Sequence, residues 1–146
     1  MPIMWNELEQ GNFTLFIEYA TFVNAVTFAI PEKYANHCSV NQIQRSSSSI
    51  MANYAESLGC ATPKDCANKM SIALKEAYET KAWAQLMYNL DIIDFDNYKS
   101  IVDGAENIIE GLQKLIVKCV QSPNPTTWQK HLRMKEREGE GNACNP

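Results

Sequence analysis

Apolar residues recur at every third or fourth position over four stretches of the chain, a spacing typical of amphipathic helices. The predicted helices cover residues 12–30, 39–58, 63–89 and 96–120. Pro31 ends the first because proline cannot donate the next hydrogen bond of a helix, and Gly59 is a typical stop for the second. Four helices joined by short connections predict an all-α fold, an antiparallel up-and-down four-helix bundle.

Local signals mark the starts of the second and third helices. Ser39 followed by Gln42 reads as a capping box, in which the two side chains satisfy free backbone N–H groups. Thr62 suits the N-cap, Pro63 suits the first helical position, and Asp65 interacts favourably with the helix dipole. The third start is the clearest of these signals.

The two ends of the chain lack the helical pattern. Residues 1–11 are predicted to form an N-terminal segment in front of the bundle. From residue 121 to residue 146 the sequence is polar and charged and begins with two closely spaced prolines, which indicates a flexible tail. The prediction is a single bundle domain, residues 12–120, with one segment on either side.

Two glycines in the fourth predicted helix need an explanation. Gly104 and Gly111 lie seven residues apart, hence close to one face. Each costs up to about 1 kcal/mol relative to alanine in a helix. A close helix neighbour would account for both, either within the chain or across a subunit boundary.

Charge is unevenly distributed along the chain. The net charge is −4, but residues 1–120 hold nine basic and fourteen acidic residues, whereas residues 121–146 hold four basic and three acidic ones. Because phosphate contacts supply most of the affinity of nucleic-acid-binding proteins, the acidic bundle argues against RNA or DNA binding by its surface. If RNA is contacted, the cations of the tail are therefore the expected elements, and the alternative is a solvated tail in which glutamates are interspersed. These cations are Lys130, Arg133, Lys135 and Arg137.

No export or membrane segment is predicted. No stretch approaches the roughly 20 apolar residues that span a bilayer, and the N-terminus lacks the basic and apolar parts of a secretory signal. A cytoplasmic location is therefore expected. The five cysteines are odd in number and show no CxxC spacing or Cys/His cluster, which predicts free thiols and no structural zinc site.

Polar residues on the second and third helices are predicted to meet at matching heights, because the connection between these helices centres near residue 60. Antiparallel packing then places Arg45 opposite Glu76. It also places Gln42 opposite Glu79. Since a guanidinium and a carboxylate match as a two-pronged pair, Arg45 is predicted to form an inter-helix ion pair with Glu76 or Glu79.

The same register places Asn53 opposite Asn68. It also places Asp65 near Glu56, with Lys64 and Lys69 close enough to neutralise that acidic pair. Two interpretations of these polar residues stay open. They fix the register of the two helices, as partly buried ion pairs do, or some of them line a surface or channel shared between subunits of an oligomer.

Residues that carry chemistry are missing or badly placed. A di-metal bundle needs Glu-x-x-His motifs on two helices, but the two histidines, His37 and His131, are predicted to lie in a loop and in the tail. A cysteine nucleophile needs a histidine partner, and no glycine-rich phosphate loop is present. The sequence therefore predicts a protein that binds a partner and is not an enzyme, with no metal and no cofactor.

Two stretches of the predicted second and third helices resemble a known signature. Residues 42–56 read QIQRSSSSIMANYAE, similar to the pattern Q-x-x-R-S-x-x-S-I-x-x-N-x-x-E. The third helix continues with a run similar to K-D-F-x-x-K-x-x-I-A-x-K-E-x-x-E-x-x-x-W, in which Cys66 replaces the aromatic residue. Both patterns resemble the 23S rRNA intervening-sequence protein family. The matching polar and aromatic residues are Gln42, Arg45, Ser46, Ser49, Asn53, Glu56, Lys64, Asp65, Lys69, Lys75, Glu76, Glu79 and Trp83.

The resemblance covers roughly residues 12–119. It implies a bacterial protein with a left-handed bundle that assembles as a barrel-like homopentamer, either RNA-associated or accessory to an RNA-handling complex. A relative in fold, the accessory variability determinant of diversity-generating retroelements, binds a reverse transcriptase and nucleic acid through a basic surface. The present bundle is acidic, so a protein-binding scaffold with no nucleic-acid role is the alternative.

Overall fold

The computed structural model describes residues 2–121 of the chain, and their side chains from residue 13 onwards. The described part consists of helices and contains no strand. In chain order the elements are α1 (Pro2–Phe28), a short 3-10 helix (Glu32–Tyr34), α2 (Cys38–Leu58), α3 (Pro63–Asn89) and α4 (Phe95–Gln121).

Each helix packs against the next one in the chain. The bundle is closed by α1 and α4, which contact each other through fewer residues than consecutive helices do. This order places α1 diagonally across from α3. The predicted all-α four-helix bundle is confirmed, and its core is built from the apolar stripes of all four helices. The largest fully buried apolar side chains are Phe16, Ile43, Ile50, Met87, Ile101, Ile108 and Leu112. None of the helices between residues 2 and 121 combines the length and apolar character that a bilayer span requires.

The first helix differs most from the prediction. It begins at Pro2, so residues 2–11 belong to α1 and are not a separate segment. Proline is tolerated in the first turn of a helix, and Gly11 lowers helix stability by only about 1 kcal/mol, so neither interrupts it. At its other end α1 stops at Phe28, because the backbone just before a proline disfavours the helical conformation. The predicted tail lies outside the described residues, except for Gln121, which ends α4.

The start of α2 is capped by His37 and not by the predicted capping box of Ser39 and Gln42. Nδ1 of His37 accepts a hydrogen bond from the N–H of Ser39 at 3.2 Å. The hydroxyl of Ser39 is fully buried and lies 2.7 Å from the same nitrogen. A ring nitrogen thus satisfies a free N–H of the first turn, which the usual preference for small oxygen-bearing caps does not anticipate.

The starts of α3 and α4 are capped by side-chain oxygens. Thr62 Oγ1 accepts from the N–H of Asp65 at 3.1 Å, and Pro63 takes the first helical position, as predicted. Asp94 Oδ1 accepts from the N–H of Asn97 at 2.8 Å. Caps of this kind typically contribute about 1 kcal/mol each, so both helix starts are well defined locally.

Gly104 permits a close contact between α1 and α4. A Cβ at this position would lie 2.6 Å from Cε2 and 2.8 Å from Cδ2 of Tyr19. The Tyr19 hydroxyl donates to the carbonyl of Ile101 at 2.7 Å, which holds the buried ring against the glycine. The neighbour expected for Gly104 is therefore within the chain. For Gly111, no described atom beyond its chain neighbours and the adjacent backbone of α4 lies within 4 Å of the Cβ position, so no such neighbour explains it.

The turn after α3 places Asp91 in the left-handed region, with φ of 55°. The N–H of Ile92 donates a hydrogen bond to the carbonyl of Met87 at 2.9 Å. The N–H of Asp91 donates to the carbonyl of Tyr88 at 3.0 Å. Together these bonds form a Schellman motif, which satisfies the free carbonyls at the helix end. The left-handed conformation costs a non-glycine residue roughly 1–2 kcal/mol.

Replacing Asp91 by glycine is expected to raise the free energy of unfolding by about 0.5–1 kcal/mol, because glycine adopts positive φ without a steric cost. Urea unfolding measures the change. Asp91→Asn is the matched control, since it removes the same charge but keeps a side chain. A gain for Asp91→Asn as large as that for Asp91→Gly would assign the effect to charge and contradict the backbone explanation.

Candidate functional site: a polar network and two apolar faces

Arg45 lies at the centre of a hydrogen-bonded network that joins α2 to α3. Its Nη1 donates to both carboxylate oxygens of Glu76 at 3.3 Å, and its Nη2 donates to Glu79. Its Nε donates to Oε1 of Gln42, on the same helix, at 3.1 Å. The predicted inter-helix ion pair is confirmed, and Arg45 binds both carboxylates at once. Gln42 contributes by orienting the guanidinium.

Two further contacts hold the α3 side of this network in place. Trp83 Nε1 donates to Oε1 of Glu79 at 3.1 Å, so this carboxylate is held between a guanidinium and an indole. Beneath the network, the hydroxyls of Ser46 and Thr80 are hydrogen-bonded at 2.8 Å, and both side chains are fully buried. The small serine therefore lets α2 and α3 pack closely, and the serine run remains helical.

Hydrogen bonding shifts the pKa values within the network. The bonds from Arg45 and from Trp83 stabilise the Glu79 carboxylate, so its pKa lies below the usual range. Hydrogen bonds to Glu79 and Glu76 raise the pKa of Arg45. The Arg45 and Glu79 side chains keep 46% and 37% of their surface exposed. Solvent screening therefore limits the contribution of this pair to about 1 kcal/mol or less.

The stabilisation by Arg45 is expected to depend on pH. Because the pKa of Glu79 is lowered on folding, the contribution is present above the unfolded value of about 4.3 and is lost as the pH falls through the folded value. Arg45→Met should therefore destabilise the protein at about pH 6 and have little effect at about pH 2. Urea unfolding at both pH values measures this.

Trp83→Phe is the control for this prediction, because it keeps the ring but removes the donor to Glu79. We expect a smaller loss that follows the same pH dependence. The Arg45→Met and Glu76→Met changes should also be non-additive, since each removes the partner of the other. Equal destabilisation by Arg45→Met at both pH values would contradict an ionised Glu79 as its main partner.

Other residues of the matching signature lie along the same interface between α2 and α3. Lys69, one of the two lysines predicted to lie near Glu56, forms an ion pair with it. Asn53 donates to the carbonyl of Ser49 in its own helix at 2.8 Å. The remaining signature residues have exposed side chains in α3 and are Lys64, Asp65 and Lys75. Most of the signature therefore describes how α2 and α3 are joined.

Apolar side chains border the network on the outside of α3. Ile72 and Leu86 lie seven residues before and after Glu79 and are both exposed. Trp83, half-buried, lies between Glu79 and Leu86. Residues at this spacing share one side of a helix, so these four side chains lie on one outer surface of α3. We call this surface the α3 face.

A second apolar surface runs along the outside of α1. Leu15 and Phe22 lie seven residues apart in this helix, and Glu18 is the only charged residue from position 13 to position 30. Leu15 is 41% exposed and Phe22 is 38% exposed. The outer side of a helix in a soluble monomer usually carries many charges. We call this surface the α1 face.

Sequence reasoning missed the α1 face because it considered only the stripe that faces the core. The buried residues of α1 include Phe16, Tyr19, Val23 and Val26, and they account for one side of the helix. The signal that could have revealed the other side is the near absence of charge over the whole helix. A helix that is apolar all round is normally buried all round.

A pocket of about 400 Å³ opens beside the connection between α1 and α2. His37 and Cys38 line it together with Asn36, Asn41 and Gln44, and no carboxylate is among its lining residues. His37 uses Nδ1 to cap α2. Within the described side chains, no three histidine, cysteine or acidic residues form a group that could hold a metal ion. The predicted RNA contacts (Lys130, Arg133, Lys135 and Arg137) lie outside the described residues.

Comparison with known proteins identifies the family. Residues 15–114 match the family model described as 23S rRNA-intervening sequence protein. The chain is also similar to the crystal structure of a protein with unknown function from the S23 ribosomal protein family of Bacteroides thetaiotaomicron VPI-5482, with 33% identity and a TM-score of 0.66 over 71% of this chain and 96% of that one. A comparison with curated proteins gives no match. The chain therefore belongs to the 23S rRNA-intervening sequence protein family.

Proposed function

We propose that this chain is a non-enzymatic binding protein that assembles with copies of itself and associates with RNA in the cytoplasm. The observation that carries the proposal is the pair of exposed apolar surfaces, the α1 face and the α3 face. Membership of a family named for an rRNA intervening sequence supports RNA as the partner.

Assembly is proposed because apolar side chains lie seven residues apart on the α1 face and fourteen apart on the α3 face, which are multiples of the heptad spacing of helix–helix seams. The α1 face offers Leu15 and Phe22, and the α3 face offers Ile72 and Leu86 around a fixed ion pair. Burying apolar area gains about 25 cal/mol per Å², so docking one face on the other is favourable. This arrangement keeps open the second interpretation of the polar network, in which it borders a surface shared between subunits.

The position of the two faces determines the kind of assembly. They lie on diagonally opposed helices, so a copy that docks its α1 face on a neighbour leaves its own α3 face free for the next copy. Such head-to-tail contacts close into a ring if the rotation between copies permits. A homopentameric ring, as the family resemblance implies, is the assembly we propose.

A non-enzymatic role is supported by the chemistry of the described residues. A general base or nucleophile needs a positioned partner within hydrogen-bond reach. The only histidine in the described range caps a helix, and Arg45 is engaged with two carboxylates. Nδ1 of His37 and the guanidinium of Arg45 are thus engaged in stabilising the bundle.

RNA contact is assigned to the C-terminal cations because residues 1–120 are acidic. Each copy supplies Lys130, Arg133, Lys135 and Arg137, and a ring multiplies these contacts by the number of copies. Neutralising phosphates with several cations makes binding strongly dependent on salt. The proposed interaction is therefore electrostatic, weak for one copy and strengthened by assembly.

The test is binding of a labelled structured RNA hairpin to the full-length protein. We expect the affinity to fall by roughly a hundredfold between about 50 and 200 mM salt. Glutamine at all four cationic positions should abolish binding, whereas glutamine at Glu136, Glu138 and Glu140 should strengthen it. No binding by the assembled wild-type protein at low salt would contradict an RNA-associated role.

A protein-binding scaffold is the second candidate. The acidic surface of the bundle favours it, since fourteen acidic residues against nine basic ones over residues 1–120 repel phosphate and suit a basic protein partner. Pulldown from cells distinguishes the two roles. Recovery of a stable protein partner that survives nuclease treatment would favour the scaffold, and recovery of RNA alone would favour RNA association.

A further inference from the structure

Two cysteines from distant parts of the chain touch in the core. Sγ of Cys66 and Sγ of Cys119 are 3.6 Å apart, and both residues are free thiols. Cys66 is 4% exposed and Cys119 is 1% exposed. No other described cysteine pair has a sulfur–sulfur contact of this kind. The contact joins the beginning of α3 to the end of α4.

The positions of the two residues favour formation of a disulfide bond between them. The sulfurs are already in van der Waals contact, and a disulfide requires them to approach to about 2.05 Å. Cys66 lies in the first turns of α3, which begins at Pro63, and Cys119 lies in the last turn of α4, which ends at Gln121. Helix ends open more readily than helix centres, so small adjustments are available there.

We propose that Cys66 and Cys119 form a reversible redox site that closes to a disulfide by exchange with a small-molecule disulfide of the glutathione class. This inference is independent of the proposed RNA and scaffold roles. It concerns the reduced chain and one disulfide reagent, and it requires no bound metal or cofactor.

The exchange proceeds in two balanced steps. Transient opening of the end of α4 exposes Cys119, whose thiol loses a proton to solvent. The thiolate attacks one sulfur of the reagent, which breaks the reagent's S–S bond and releases one thiol after protonation. Cys66, deprotonated in turn, attacks Sγ of Cys119 and expels the second thiol. Two cysteine thiols are oxidised, and one small disulfide is reduced to two thiols.

The environment makes this reaction slow in the closed protein. The hydrogen bond with Cys119 and burial both raise the pKa of Cys66, so the thiol form dominates at neutral pH. The reaction should therefore accelerate as pH rises and as the end of α4 opens. Once formed, the disulfide lies in the core and links the first turn of α3 to the last turn of α4.

The test uses the full-length reduced protein and oxidised glutathione as the probe. We expect non-reducing peptide mapping to find one peptide pair that joins Cys66 to Cys119 and a protein mass lower by two hydrogens. The melting temperature should rise by about 10 °C, because the bond closes a long loop of the unfolded chain. Dithiothreitol should reverse both changes.

Cys60 supplies the matched control, since it is half-exposed on the connection between α2 and α3 and lies outside the proposed pair. Cys60→Ser should still form the crosslink, whereas Cys119→Ala should lose both the crosslink and the rise in melting temperature. Glutathione adducts at Cys38 and Cys60 with Cys66 and Cys119 still reduced would overturn the proposal. A crosslink from Cys60 to either buried cysteine would overturn it as well.

Discussion

Replacing Gly104 by alanine is expected to lower the free energy of unfolding by about 2 kcal/mol, although alanine is the better helix former by about 1 kcal/mol. The added methyl group would lie 2.6 Å from the ring of Tyr19. That ring cannot move away freely, because it is buried and its hydroxyl bonds to the carbonyl of Ile101. Urea unfolding measures the loss.

Gly111→Ala is the matched control in the same helix. No described atom beyond its chain neighbours and the adjacent backbone of α4 lies within 4 Å of its Cβ position, so alanine should stabilise the folded chain by about 0.5–1 kcal/mol. Tyr19→Leu should also reduce the penalty of Gly104→Ala, because it removes the ring that the methyl group meets. A stabilising Gly104→Ala would contradict the close α1–α4 contact.

A single charge on either apolar face is expected to dissociate the proposed assembly into monomers. Phe22→Glu places a carboxylate in the α1 face, and Leu86→Glu places one in the α3 face. Both side chains are 38% exposed in the single chain, so the folded bundle should tolerate each change. In a contact between copies each carboxylate would be buried without a partner, which costs several kcal/mol. Light scattering reports the mass, and circular dichroism checks the helical content.

Mixing the two variants tests the head-to-tail arrangement. The α1 face of Leu86→Glu and the α3 face of Phe22→Glu are both intact, so the mixture should form one contact and stop at a heterodimer. A contact between identical faces would give a different result, because no mixed dimer would be favoured. Val117→Glu is the control, since Val117 is exposed on α4 outside both faces. It should leave the mass of the wild-type assembly unchanged.

Much of the fold could be predicted because its signals are local. The bounds of α2, α3 and α4 lie within one residue of the predicted helices. Thr62 and Pro63 define a helix start from a few residues, and the regular apolar stripe defines the length. The start of α1 could not be found in this way, because residues 1–11 lack the apolar spacing of a helix although the helix begins at Pro2.

The polar network between α2 and α3 could be predicted because one short connection fixes the register of two antiparallel helices. Arg45 meets Glu76 as that register requires. The contact of Tyr19 with Gly104 could not, since a glycine in a helix does not identify the residue that fills its space. The short connection between α3 and α4 also aligns Cys66 with Cys119, but nothing in the sequence distinguishes two buried thiols in contact from other small core residues.

The most direct test of the account is the mass of the full-length protein in solution. Light scattering at micromolar concentration should give a single species of about five times the 16.5 kDa of one chain. That result would mean that the α1 face and the α3 face are covered by neighbouring copies. A monodisperse monomer of 16.5 kDa would contradict the assembly and leave both faces without the partner we assign to them.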